Sequence, residues 1–195
     1  MGVPLSPSGA ERLVDLETLL RDRAVPLGLI SASDSGRLYE RHVLDSLRAA
    51  SLFTREDETA FDLGSGAGLP GLVAAIAVPW CRFALSEPRR IRAGFLELAL
   101  DSLDVPNAEV TLTRAEDLRG PVDVVTARAF APLGRTWRIA SRLLRRGGRL
   151  VYFAGASLVD PAGEARQAAR LGEAARVSTS RVLATSPPLV IMARK

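Results

Sequence analysis

Asp62-Leu63-Gly64-Ser65-Gly66-Ala67-Gly68-Leu69-Pro70-Gly71 is the stretch from which the rest of the chain can be read. The apolar run before it, Thr59 to Leu63, is predicted to be a strand that ends in glycines. Glycines there let the backbone turn sharply and come close to a ligand. Pro70 suits a first helical turn, and the helix it opens is expected to reach about Ala77. Strand, glycine loop and helix in that order begin a parallel α/β unit, whose ligands bind at the carboxyl ends of strands. The helix start adds free N–H groups and the positive end of a dipole, which suit a carboxylate or a phosphate.

Working outward, strands and helices alternate. Strands are predicted at Cys81–Leu85, Val110–Thr113, Val122–Thr126, Leu150–Ala154, Val182–Ala184 and Leu189–Ala193. Helices are predicted at Arg89–Leu103, Leu133–Leu144 and Glu164–Ala175. That alternation implies a mostly parallel sheet covered on both faces. The last two strands have no helix between them, only a short connection through Pro187-Pro188, so they should be antiparallel. Upstream, Ala10–Arg23 and Arg37–Leu52 have helical periodicity, interrupted at Gly28 to Gly36. They read as an N-terminal cap over residues 1–56, ahead of a core over 57–195.

Composition narrows the chemistry. With 195 residues and 47% hydrophobic content, the chain can bury one core. Cys81 is the only cysteine and His42 the only histidine, which argues against a disulfide scaffold, a zinc site and an imidazole-dependent hydrolase. No apolar run is long enough for a membrane span. The first twenty residues lack the apolar block of a signal peptide, so a cytoplasmic location with no membrane partner is expected. The net charge is +4, and Lys195 is the only lysine among 26 basic residues. Arginine suits phosphate through its fork of donors.

The glycine motif admits two nucleoside cofactors. Gly64, Gly66 and Gly68 form the G-x-G-x-G run common in S-adenosyl-L-methionine (SAM) enzymes. Gly66, Gly68 and Gly71 equally satisfy the dinucleotide fingerprint. Glu87 closes the second strand, where an acid can accept from both ribose hydroxyls; its other reading is a solvated loop acid. Arg114-Ala115-Glu116-Asp117 ends the third strand, where an acid and adjacent backbone could hold an adenine edge; its other reading is a helix cap. SAM is favoured because the chain leaves no room for a dehydrogenase substrate domain and offers no hydride-site acid or base.

With these residues in view, the chain resembles the bacterial RsmG (GidB) methyltransferases from about Gly28 onward. The specific matches are Arg41-His42-Val43-Leu44-Asp45-Ser46, Asp62 to Gly71, Arg114-Ala115-Glu116, and Thr126-Ala127-Arg128-Ala129-Phe130-Ala131-Pro132-Leu133. The resemblance implies a Rossmann-like SAM-dependent methyltransferase sheet, with its last strand antiparallel, behind a helical cap. It implies transfer of a methyl group from SAM to nitrogen-7 of a guanosine in small-subunit ribosomal RNA, so the expected partner is that RNA or the small ribosomal subunit. The chain is expected to be a monomer. Position by position it places Gly64 and Leu69 against the methionine and adenosine parts, Ala115 and Glu116 at the adenine, Glu87 at the ribose and Arg128 beside the cofactor. Departures from the family pattern are Gly28-Leu29-Ile30, Ile91, Ala154 in place of a lysine, and Ser186-Pro187-Pro188.

Guanine nitrogen-7 carries a lone pair and no proton, so the implied reaction needs orientation rather than a general base. Arg135, Arg138, Arg142 and Arg145 fall at helical spacing, with Arg146 and Arg149 beside them, and Arg89, Arg90 and Arg92 form a second cluster. Together with Arg41 and Arg114 they are candidates for RNA phosphates, the other reading being solvated helix faces. Phe53, Phe130 and Trp137 are the aromatic candidates for stacking or core packing. Two competing functions stay open at this point: a non-catalytic SAM- or RNA-binding protein, motivated by Ala154, and a nicotinamide-dependent enzyme.

Overall fold

The computed structural model describes residues 5–155, 160–170, 175–180 and 186–195. Seven strands form one sheet: β1 (Thr59–Leu63), β2 (Arg82–Ser86), β3 (Ala108–Thr111), β4 (Val122–Arg128), β5 (Leu144–Phe153), β6 (Ala175–Ser180) and β7 (Leu189–Arg194). Their order is β3-β2-β1-β4-β5-β7-β6. Strands β1 to β5 pair in parallel. Strand β7 runs antiparallel to both neighbours, β5 and β6. The order reverses between β1 and β4, and a crevice opens at the carboxyl ends of strands at such a switch point.

Among the described residues, six α-helices accompany the sheet: α1 (Pro7–Leu19), α2 (Asp45–Leu47), α3 (Gly71–Ala77), α4 (Arg90–Ser102), α5 (Leu133–Leu143) and α6 (Pro161–Ala169). Every residue of α3 is buried. On its side of the sheet, Ala60, Phe83, Val124 and Phe153 pack with Leu96 of α4 and with Leu13, Leu16 and Leu38 of the cap. On the opposite face, Val125, Leu150 and Met192 pack with Trp137 of α5 and Ala165 of α6. In α1, the Ser6 hydroxyl accepts from the Gly9 amide at 3.0 Å and fixes the helix start. The second cap arm is helical from Ala32, with looser π-type turns over Tyr39–Leu44 before α2.

The parallel sheet, its antiparallel final strand and the cap are as the sequence predicts; several boundaries are not. Helix α6 begins at Pro161 rather than Glu164, because the Asp160 carboxylate caps the Gly163 amide at 2.8 Å and proline fits the first turn. It ends at Ala169, and Ala175 already starts β6. The strand predicted at Val182–Ala184 lies outside the described residues. Strand β5 starts at Leu144, where the backbone turns extended and pairs with Val122 across an irregularity in the ladder. Arg145 therefore belongs to β5, not to the helix face. Its guanidinium is drawn to the Asp123 carboxylate.

Between β3 and β4 the chain makes one short helical turn, Ala115–Asp117, instead of a covering helix. One face of β1 and β2 is therefore open, and Phe61 and Ala84 floor a cavity of about 400 Å³ rimmed by Arg82, Glu109 and Arg119. Among the described residues, no helix is long and apolar enough to cross a membrane.

Candidate functional site

The loop between β1 and α3 is built on glycines with positive φ: +66° at Gly64, +57° at Gly66 and +85° at Gly68. L side chains rarely adopt such angles. At Gly64 a Cβ would also lie 2.8 Å from Cδ2 of Phe130, so the ring packs directly on the loop. At Gly66 a Cβ would meet nothing closer than the Gly64 carbonyl oxygen at 3.8 Å, so this turn faces open space. Leu69 is half-buried at the end of the loop.

Glu87 is only 2% exposed where β2 ends. Its Oε2 accepts from the Gly66 amide at 3.1 Å, and its Oε1 accepts from the Arg89 amide at 3.0 Å. The Arg92 guanidinium stands 3.9 Å away. One buried carboxylate thus ties the glycine loop to the start of α4, and each oxygen keeps acceptor capacity for a ligand hydroxyl. Beside it, the buried Asp62 accepts from the Thr126 hydroxyl at 2.6 Å. Its other oxygen has no hydrogen-bond partner among the described residues.

At the end of β3, Ala115 is buried and Glu116 exposed. Glu116 accepts from Arg135 at 2.7 Å, and that bond holds its carboxyl below the usual range. The pair links the β3 and β4 ends across the carboxyl edge of the sheet, so Arg135 already has a partner.

Arg128, at the end of β4, reaches into the cap. Its guanidinium donates to the Ser46 hydroxyl, the Arg41 carbonyl and Nδ1 of His42, each at 3.2 Å, and stands 3.5 Å from the Asp45 carboxylate. Nδ1 of His42 accepts from Arg128, so its Nε2 carries the proton and donates to Asp34 at 3.1 Å. Burial first, and the Arg128 charge second, lower the His42 pKa. The folded chain therefore resists protonating His42, and acidification below its ordinary pKa works against the latch. Arg48 completes the cluster: it pairs with Asp45 at 2.9 Å and donates to the Pro187 carbonyl at 2.7 Å. Arg128→Ala is expected to cost about 1.5–3 kcal/mol, the worth of a hydrogen-bonded charge. A lower denaturant midpoint and faster proteolysis between residues 28 and 37 would show it.

Next to this latch, a cavity of about 860 Å³ opens over the carboxyl ends of β4 and β5. Arg41, Arg48 and Arg128 line its cap side; Phe130, Tyr152 and Glu164 line the other. Ala129 bends the intervening loop with a φ of +50°. The Tyr152 hydroxyl donates to the Ala131 carbonyl at 3.1 Å and braces that loop from β5. Ala154 is buried against the same cavity. Local spacing missed Arg48 and Tyr152 as site residues. The one available signal was Arg48 three residues after Asp45 on a helix.

The remaining arginines divide. Arg138 and Arg142 are exposed on one face of α5 without an ion pair among the described residues, as are Arg146 on β5 and Arg89 and Arg114 at the loop edge. Arg41 is exposed but pairs with Asp34 at 2.9 Å. Arg149 is turned inward, with Nη1 3.0 Å from the Asp57 carboxylate and Nε 3.1 Å from the Leu52 carbonyl. Phe53 and Trp137 are core residues.

Sheet order, glycine loop and the acid ending β2 together define the Rossmann-like methyltransferase fold. Two solved structures share it: M. jannaschii TYW2 in complex with AdoMet, at a TM-score of 0.62 and 12% identity over 80% of this chain and 76% of that one; and the mitomycin 7-O-methyltransferase MmcR, at 0.66 and 15% over 97% and 69%.

The model of the family "rRNA small subunit methyltransferase G" matches residues 10–190, and the chain belongs to that family. Relatives named ribosomal RNA small subunit methyltransferase G include that of Thermobifida fusca, 38% identical over 84% of this chain and 72% of its own length. Those of Clavibacter sepedonicus and Salinispora tropica are 39% and 41% identical over 71% and 75% of this chain. The matched part spans 65% and 64% of those two relatives' lengths.

Proposed function

We propose that this chain transfers a methyl group from SAM to nitrogen-7 of a guanosine in small-subunit ribosomal RNA. The observation that carries the reading is adjacency: the open turn at Gly66 is joined to the buried Glu87 carboxylate, and Phe130, which packs on Gly64, also lines the cavity over β4 and β5. The residues present fit the cofactor: Glu87 would take the ribose hydroxyls, Ala115 and Glu116 the adenine end, and Gly64 and Leu69 the methionine side.

When bound, SAM supplies an electrophilic methyl on a sulfonium sulfur, which a ring nitrogen accepts while the C–S electron pair stays on sulfur. The chain's own contribution is orientation and exclusion of water. Glu87 holds the loop before any ligand arrives, and the Ala129–Phe130 bend separates the cofactor side from the acceptor side. Well-aligned reactants gain up to about 7–11 kcal/mol from such positioning. No proton leaves nitrogen-7, so the commitment of His42 to Asp34 and Arg128 costs the chemistry nothing.

Incubation of small-subunit RNA from a strain lacking the gene with labelled SAM tests the reading; 7-methylguanosine is the expected product on mass mapping. Absence of label with SAM binding intact by calorimetry would leave a binding protein instead. For the RNA, Arg138 and Arg142 are the exposed cations of α5 that have no ion pair among the described residues. Reversing both charges is expected to make the salt dependence of RNA affinity shallower by about 1.5–2 in log–log slope. An unchanged slope returns that face to solvent.

A further inference from the structure

The acceptor cavity has its charges sorted, and two of its carboxylates, Glu40 and Glu164, have no ion pair among the described residues. On the cap side, Arg41 is engaged by Asp34, while Arg48 and Arg128 share Asp45. Glu40 stands on that cationic side, next to Arg41. On the opposite side, Glu164 projects from the first turn of α6, which Asp160 anchors through the Gly163 amide. Glu164 lines the cavity and is exposed, and its carboxylate forms no hydrogen bond or ion pair with any described residue. Phe130 and Tyr152 line the same cavity. Its charge lies close enough to Tyr152 to help burial raise that phenol's pKa. An unpaired carboxylate in a cavity with aromatic lining suits the edge of a base better than a phosphate.

We infer that Glu164 is the specificity-determining residue of the acceptor site: its carboxylate accepts the N1–H and exocyclic N–H of a guanine on its Watson–Crick edge. The inference rests on the methyltransferase reading and says which part of the site chooses the base. Guanine presents two adjacent donors on that edge, which match two carboxylate oxygens. Adenine presents an acceptor at N1, which a carboxylate repels. Recognition of exposed bases along this edge, combined with stacking, is the usual mode for single-stranded RNA.

The sheet supplies the direction. The glycine loop ends β1, and the cavity that Glu164 lines lies over the ends of β4 and β5, the next two strands in the sheet order. A base gripped at its Watson–Crick edge by Glu164 turns its far side, which carries nitrogen-7, toward Phe130 and the glycine loop. The same contact that selects guanine therefore aims the nucleophile.

The test uses small-subunit RNA carrying either guanosine or inosine at the single nucleotide that mass mapping shows to be methylated. Inosine keeps N1–H and lacks the exocyclic amine. The parent protein is expected to methylate inosine with kcat/KM about 10–100-fold below guanosine, the effect of one charge-assisted hydrogen bond. Glu164→Gln is expected to lower the guanosine value by a similar factor and shrink the guanosine-to-inosine ratio to within about threefold. SAM affinity by calorimetry should stay unchanged. A variant that keeps the parental ratio overturns the assignment, whatever its absolute rate. A parent that labels no RNA overturns the methyltransferase reading and this inference with it.

Discussion

Replacing Arg149 by alanine is expected to cost about 3–5 kcal/mol of stability, the largest single effect of any arginine here. Arg149 lies in β5 with its guanidinium against the Asp57 carboxylate and the Leu52 carbonyl. Asp57 is 2% exposed and also accepts from the Thr54 amide at 2.6 Å. Without Arg149 that carboxylate stays buried with no countercharge, and the Leu52 carbonyl loses its donor. Breaking one half of a buried pair costs more than the pair contributed, because the survivor cannot recover its hydration. Arg142→Ala is the matched comparison. Arg142 is exposed on α5, and its loss should move the urea midpoint by no more than about 0.5 kcal/mol equivalent. Equal midpoints for the two variants would show that Arg149 has no structural role.

Stability should also fall as pH rises through the range where Asp62 ionises. Burial, opposed in part by the Thr126 hydrogen bond, pushes its carboxyl up from 3.8 to about 6. The folded chain then binds this proton more tightly than the unfolded chain. The protonated form is stable at low pH, and stability is lost progressively between about pH 4 and pH 6, reaching its full cost above that. The total is about 3 kcal/mol. Asp62→Asn removes the titration. Relative to the parent, that variant should therefore gain about 3 kcal/mol between pH 4 and pH 8, whatever fixed cost the amide brings. Parallel stability curves for the two proteins across that range would mean that Asp62 ionises alike in the folded and unfolded chains, with no upward shift on burial.

These two residues also show what could be read in advance. The glycine loop was legible because positive φ and close packing leave a chemical trace: only glycine tolerates them. The acid ending β2 was legible from its place after an apolar run. Arg149, by contrast, reads as one more cation in a basic row, since its partner Asp57 is 92 residues away. The latch was visible only as two separate motifs. Nothing in local spacing says that Arg128 bonds Ser46, 82 positions earlier. Helix α6 was placed late because its apolar periodicity is weak, although Asp160-Pro161 held the start signal. Strand β6 pairs Val177 with Met192 at the sheet edge, and so short and polar a segment gives alternation little to work on.

Arg48 and the Pro187 carbonyl stand 139 residues apart and meet at the cavity wall. One wall of the cavity is therefore assembled from parts of the chain that lie far apart in sequence, and it exists only where the cap and the approach to β7 are both folded against the sheet. Loosening either one opens the cavity from the side.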